Sequence, residues 1–564
     1  MESTNKLNSM ESNSMKTPME RFWALLKPDQ KEIRNVYFYS VFNGLVSLSL
    51  PIGIQAIINL IQGGQISTSW FVLVLFVIGG IAFSGYLQIS QLKITENLQQ
   101  KIFSRAAFEF AYRIPKIKLE ALYKHYAPEL MNRFFDVVSV QKGLSKILID
   151  FSMASIQVLF GLLLLSLYHP FFIFFSLILL FLLFVIFKYT AKKGLITSLK
   201  ESKHKYNVAN WLQEVARTHI TIKLAGKTDL PVQRVDEATG EYINERDAHF
   251  KILMQQYFLM VGFKVVVGAG LLIVGSILVV EQQMNIGQFV ASEIIILLVL
   301  SSVEKLILSL ETIYDVLTSL EKIGQVTDLE LEDSEGMIID NNEKLGYDVE
   351  ISNLTFSYPF TSKTIFEDLS LHVKAGEKVL ISGKNDSGKS TLLSLLTGLY
   401  PSQKGYVAYD GIPLGNLDIQ NLRSNIGDCL MEELLFEGTL LENISIGREK
   451  ATFENVKWAI ESLGLGDFVK SLPNGYNTII DLQGKQFSKG IIDRLLLARS
   501  IADKPKVLLI KDSFGSFLPE RKEAIIDFIT QQPWTLFIAS QDVFIREKVD
   551  RVVEIENKSL TIKK

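Results

Sequence analysis

Six apolar runs in the first half of the chain decide what it can fold into. Residues 36–61, 70–92, 151–168 and 170–187 carry no charge; residues 257–280 and 286–303 carry one each, Lys264 and Glu293. A helix needs about 20 apolar residues to cross the hydrocarbon core of a bilayer. Buried helices of a large soluble domain are the other reading, but such helices keep a polar stripe, and these runs do not. The pattern predicts six spanning helices, the third and fourth forming a tight pair around His169 and Pro170.

Composition closes off other classes. With 48% hydrophobic residues and 36 Phe in 564, the chain is no solvating or disordered polymer. A net charge of -3 gives no global basic field, so no nucleic-acid partner is expected. The single cysteine, Cys429, excludes an internal disulfide framework. The six histidines never fall at zinc-ligand spacing. The first 35 residues are polar and lack the basic start and apolar middle of a cleavable leader.

The connections set the orientation. Segments 62–69, 169–170 and 281–285 contain no Lys or Arg, whereas the opposite side carries Lys93, Lys101, Arg105, Arg113, Lys116 and Lys118, then Lys188, Lys192, Lys193 and Lys200. Positive charge is retained on the cytoplasmic side during insertion, so both termini are expected in the cytosol of a multi-pass protein of the cytoplasmic (inner) membrane. The two long cytosolic loops alternate apolar and charged residues at helical spacing over 109–133 and 201–223, which predicts helices continuing beyond the bilayer. An ionisable residue inside a span marks a substrate or ion path, or else snorkels to the interface. Lys264 and Glu293 lie toward opposite membrane faces and are not expected to pair. Glu293 is the better candidate for lining a cavity, and Glu304 and Lys305 are expected at the interface. Gly262, Gly268, Gly270 and Gly275 would permit close helix packing, or simply flexibility.

After Ser309 hydropathy drops into an acidic stretch with Glu330, Glu332, Asp333 and Glu335, followed by short strands and helices of α/β type. There the chemistry concentrates. A predicted strand over 378–382 runs into Gly383-Lys384-Asn385-Asp386-Ser387-Gly388-Lys389-Ser390-Thr391 and then an apolar helix. This is the phosphate-loop pattern in its strand–loop–helix context. Glycines let backbone amides curl around phosphate oxygens at a helix N-terminus. Lys389 can reach the outer phosphates, and the Ser390 hydroxyl is the candidate ligand for Mg²⁺.

Six spans with long cytosolic loops followed by a phosphate-loop domain resemble an ATP-binding cassette (ABC) exporter half-transporter, from about residue 20 to the end. The fold expected is therefore an α-helical six-span domain (21–312, after a polar tail 1–20), an acidic linker (313–345) and an α/β nucleotide-binding domain (346–564). Phe356-Ser357-Tyr358 matches the segment where the family places an aromatic that stacks on adenine. Gly405, Asp410-Gly411, Phe436-Glu437-Gly438-Thr439, Glu442-Asn443-Ile444 and Ala498-Arg499 match later segments. Ile114-Pro115 and Ile222-Lys223-Leu224 sit where such exporters carry coupling helices. The membrane half looks most like the type I secretion and bacteriocin exporters. The resemblance implies ATP and Mg²⁺ as cofactors. It also implies a second half-transporter as homo- or heterodimer partner, an exported cargo and, in a secretion assembly, a periplasmic adaptor.

The departures are as informative. The family's magnesium-binding Asp and catalytic Glu fall at Lys511 and Asp512, its magnesium-contacting Gln at Met431, its late His at Gln541, and its loop Asp at Leu518. Its Leu-Ser-Gly-Gly-Gln motif reads Phe487-Ser488-Lys489-Gly490-Ile491. An ammonium at 511 would repel Mg²⁺ or stand in for it at the phosphates, leaving Asp512 as a weak base. In an alternative register Asp512 would be the metal ligand, followed by Ser513, but a one-residue slip turns every side chain to the other face. Two functions follow as expectations: an ATP-binding exporter subunit with weak or absent hydrolysis, or a non-hydrolysing structural or ATP-sensing subunit of a heteromeric assembly.

Overall fold

The computed structural model describes residues 17–63, 68–123, 125–333, 335–339, 345–430, 434–481, 484–511 and 514–563. The chain divides into two compact units: Met1–Pro115 with His125–Leu329, and Lys116–Lys124 with Glu330–Lys564.

The first unit is helical. Among the described residues, six segments are long and apolar enough to cross a membrane: Pro18–Gln62, Thr68–Lys116, Ala127–Ser166, Pro170–Arg217, Leu230–Val280 and Ile286–Thr327. Four of them contain single helices of 46, 48, 51 and 42 residues. At 1.5 Å per residue these are about 60–75 Å long, roughly twice the hydrocarbon thickness. The spans do extend as continuous helix through most of 201–223, but the stretch 109–133 leaves the helix at Arg113 and continues as short turns and four-residue helices. The first segment is interrupted where Gln30–Ser47 meets Ser49–Gln62. Pro51 supplies no N–H for the carbonyl four residues earlier. The third segment contains a π-helical turn at Ile147–Phe151.

Packing inside this unit follows the charge and size of particular side chains. Lys264 finds its partner in Glu304, with Nζ donating to Oε2 at 2.6 Å. Its charge is thus neutralised by a neighbouring helix rather than by snorkelling alone. Glu293 is half-buried. Gly270 and Gly275 admit the rings of Phe175 and Phe289, whereas Gly262 and Gly268 face open space. Only the first two serve close packing within the chain. A Cβ on Gly194 would stand 2.4 Å from the Tyr314 ring, so that glycine sets the approach of Pro170–Arg217 to Ile286–Thr327.

Residues 313–327, expected in the acidic linker, are instead the last turns of Ile286–Thr327, with Tyr314, Val316, Leu317 and Leu320 buried. Their apolar positions keep helical spacing, and Arg21 holds this end through Glu321 (3.4 Å) and Asp328 (2.6 Å). The acidic residues offer ion-pair partners here instead of solvating a tether.

The second unit is built on two sheets. A six-stranded sheet runs in the order Ser559–Ile562, Arg551–Glu556, Lys378–Gly383, Thr535–Ala539, Val507–Lys511, Ile426–Cys429. It is parallel except for the Ser559–Ile562 edge. A four-stranded antiparallel sheet carries Val349–Ser357 beside Thr364–Val373 and Lys404–Tyr409. Parallel strands covered on both faces read as unbroken apolar runs, as Val507 through Ile510 do. Val507 and Leu509 enter the core with Leu392 and Leu393, while Leu508 and Ile510 enter the core with Leu495 and Ile501. Segment Lys116–Lys124 belongs to this unit although the chain around it belongs to the other. The Lys118 amide donates to the Glu330 carbonyl at 2.9 Å, the Glu332 amide donates to the Lys116 carbonyl at 2.7 Å, and the Lys118 side chain pairs with Glu330.

Candidate functional site

The phosphate loop leaves the strand Lys378–Gly383 at Gly383 and enters the helix Lys389–Leu396. Its backbone needs glycine at both ends. Gly383 has φ 144 and Gly388 φ 101, the left-handed region that a Cβ disfavours. At Gly388 a Cβ would also meet Phe366 at 2.8 Å and Ile365 at 2.9 Å. Asp386 takes φ 63 at the turn.

Polar groups converge on this loop. Lys389 Nζ donates to the carbonyls of Gly383 (2.8 Å) and Lys384 (2.7 Å). Gln541 Nε2 donates to the Gly383 carbonyl (3.1 Å) and to Asn385 Oδ1 (3.4 Å). Gln541 thus stands at the rim of the loop, and a side-chain amide there carries no titratable proton. The Ser387 hydroxyl oxygen is buried without a hydrogen-bond partner. An orphaned buried hydroxyl costs free energy unless something supplies its bond. Together with the glycine-cradled helix N-terminus, it fits an oxyanion of a bound triphosphate. Thr391 Oγ1 lies 2.9 Å from Tyr358 Oη, tying the aromatic platform to the helix that follows the loop.

The platform is more than Tyr358. Tyr400 packs edge-on to it at 5.3 Å and Phe356 at 5.2 Å. Tyr123, from segment Lys116–Lys124, stacks over it with centroids 6.5 Å apart and planes at 25°. No local pattern marks Tyr123 as a site residue, because its partner is more than 200 positions away in sequence. The strand beneath is anchored by Lys378, whose Nζ donates to the carbonyls of Gly376 and Trp534, both at 2.6 Å. Burial holds its ammonium below the ordinary lysine range, with Asp550 opposing the shift.

Lys511 ends the strand Val507–Lys511. It pairs in register with Ala539, which pairs in turn with Ile381, two residues before the loop. Ligands of open parallel sheets bind at this carboxyl edge. The two-residue alternation of a strand puts Lys511 on the face of Val507 and Leu509, the same face as the phosphate-loop helix. Asp512, Ser513 and Met431 lie outside the described residues. Ser488 is the N-cap of Lys489–Ile501, so Lys489 sets a positive charge at a helix N-terminus, where the macrodipole is already positive. Leu518 is exposed at the start of Pro519–Gln531. Among the described residues no three His, Cys, Asp or Glu side chains are grouped to hold a metal. Ser390, the residue the sequence offers Mg²⁺, lies in the first turn of the helix Lys389–Leu396.

Residues 34–303 match the family model for the ABC transporter transmembrane region, and residues 366–514 the model for the ABC transporter. The Uncharacterized ABC transporter ATP-binding protein YfiB of Bacillus subtilis (strain 168) is 30% identical over 43% of this chain and 42% of its own length. The leukotoxin translocation ATP-binding protein LktB of Mannheimia glucosida is 29% identical over 50% of this chain and 40% of its own. The chain thus spans less than half the length of either relative. In fold it is similar to the structure of a bacterial Atm1-family ABC exporter with ATP bound, with a TM-score of 0.78, 17% identity and 94% coverage of both chains. Six apolar helices of this length make it a multi-pass membrane protein. With a transmembrane region and a nucleotide-binding domain matched in that order on that fold, the chain is an ABC exporter half-transporter.

Proposed function

We propose that this chain is the ATP-binding subunit of an exporter in which hydrolysis by its own site is weak or absent. Residues Gly383 to Thr391 hold the triphosphate through backbone amides, the Lys389 ammonium and the Ser387 hydroxyl, and Tyr358 takes the base. ATP, when bound, supplies the phosphoanhydride chemistry that drives such transporters. The observation that carries the reading is Lys511, a cation at the strand end where relatives of this kind need a carboxylate for Mg²⁺. Phosphoryl transfer to water rests on positioning and charge stabilisation. A lysine there favours phosphate oxygens but does not orient a metal. Gln541 holds the loop without serving as an acid or base, and Lys489 and Leu518 alter the surfaces a partner would use.

The likeness to LktB supports a polypeptide cargo. The lysine-free connections support an inner-membrane placement with both termini and the nucleotide domain in the cytosol. Six spans support a dimer with a second half-transporter, and a periplasmic adaptor belongs to the same reading. The test is the ATPase rate of the purified protein with Lys389→Ala as the blank. A rate close to that blank, with ATP binding retained, is expected. A brisk magnesium-dependent rate lost in Lys389→Ala refutes it.

A further inference from the structure

The membrane unit holds a second cluster of cations that nucleotide binding does not use. Arg133, Tyr206 and Lys322 are each more than nine-tenths buried. The Arg133 guanidinium lies 4.2 Å above the Tyr206 ring and the Lys322 ammonium 5.1 Å from it. Both cations line a cavity of about 560 Å³, together with Lys203, Asn207, Asn210 and Glu321. Arg133 Nη1 is buried without a hydrogen-bond partner, although Nε donates to Gln325 at 3.2 Å and Nη2 lies 3.7 Å from Glu129. No hydrogen bond or ion pair is made by the Lys322 ammonium among the described residues.

Of the nearby carboxylates, Glu129 is set against Arg133 Nη2 and none pairs with the Lys322 ammonium among the described residues. Asp136 accepts the Tyr206 hydroxyl and does not line the cavity. Glu321, which does, lies 3.4 Å from Arg21. Even with Glu129 near Arg133 and Glu321 on the same lining, Arg133 Nη1 and the Lys322 ammonium keep donors without hydrogen bonds beside this space, which is costly for buried cations. An oxyanion accepting charge-assisted bonds from both removes that cost.

Position along the helices identifies the source. Tyr206 is 36 residues from Pro170 on its helix, and Lys322 is 36 residues from Ile286 on the other. Each therefore lies about 54 Å from the helix end at the far membrane face. At a tilt of 30° the depth is still about 47 Å, beyond the 40–45 Å of a bilayer with its headgroups. A lipid phosphate at its normal depth does not reach the cavity, whereas a dissolved one does. Guanidinium and ammonium donors together favour a phosphate dianion over a carboxylate.

We propose that Arg133, Lys322 and Lys203 form a binding site for the phosphate group of a soluble phosphate monoester, separate from the nucleotide loop. The test uses the full chain in phosphatidylcholine nanodiscs carrying Lys389→Ala, which removes the ammonium contact of the nucleotide loop, so that binding lost in the cavity variants is assigned to the cavity. Orthophosphate is titrated at constant ionic strength with calorimetry and thermal unfolding as readouts. Saturable binding is expected, weakened at least tenfold by Lys322→Met and by Lys203→Glu. Lys203 is exposed, so its variant decides the matter if Lys322→Met fails to fold. Absence of binding, or an affinity that neither variant changes, overturns the proposal. Stabilisation by phosphatidic acid in the nanodisc but not by orthophosphate overturns the soluble source.

Discussion

Replacing Lys511 with aspartate inverts the charge at a strand end two strands from the one that feeds the phosphate loop, and the consequence can be sized from the register. Residue 511 pairs with Ala539, and Ala539 with Ile381. Two interstrand steps put the 511 backbone about 10 Å from the strand that feeds the loop. The swing from +1 to −1 against a divalent ion at that distance, screened as in bulk water, is worth about 1.7 kcal/mol, roughly fifteen-fold in affinity. This is the weakest case, because side chains shorten the distance and the protein lowers the dielectric. Lys511→Met, which only removes the charge, should give about half the energy. The assay is titration of a fluorescent ATP analogue with magnesium and with chelator. Wild-type affinity should change less than about threefold on chelation, and Lys511→Asp should become at least fifteen-fold magnesium-dependent. Strong magnesium dependence in the wild type, unaltered by the substitution, would refute the assignment of Lys511 as the ion's substitute.

Gly388→Ala should lower thermal stability of the nucleotide unit and abolish ATP binding. It forces a Cβ into the left-handed region and against Phe366, at a cost of about 2–5 kcal/mol, readable by differential scanning calorimetry and by nucleotide titration. Tyr358→Leu should weaken ATP binding by about 1–3 kcal/mol through lost stacking. Tyr123→Ala should weaken it too if the base meets both rings, and an unchanged affinity in Tyr123→Ala would assign that ring to packing alone. Lys378 titrates below its ordinary value in the folded state, so the unfolded chain binds more protons just below pH 10.5. Stability should therefore rise with pH in that window relative to Lys378→Met, measured as the difference in unfolding midpoint. A midpoint difference that is flat or falls with pH would contradict the burial argument.

Local chemistry was legible directly. Hydropathy located all six spans because a bilayer imposes one length and one polarity on every segment that crosses it. Gly383 to Thr391 was legible because its backbone, rather than its surroundings, makes the cradle. The acidic stretch after Ser309 misled, since Glu311, Asp315 and Glu321 obscure the stripe of Val316, Leu317 and Leu320 that packs as helix. Lys264 was expected to be solvated at an interface, and only the approach of Ile286–Thr327 provided Glu304.

The amino-acid order by itself determined the membrane helices, the phosphate loop and the lysine that ends the strand at 511, because each depends on residues that are neighbours along the chain. Tertiary structure alone decided that Tyr123 stacks on Tyr358, that Gln541 reaches Gly383, and that Arg133, Tyr206 and Lys322 surround one cavity. Those meetings join residues tens to hundreds of positions apart. Their free energy comes from burial and from charges brought close in a low dielectric, which no local pattern encodes.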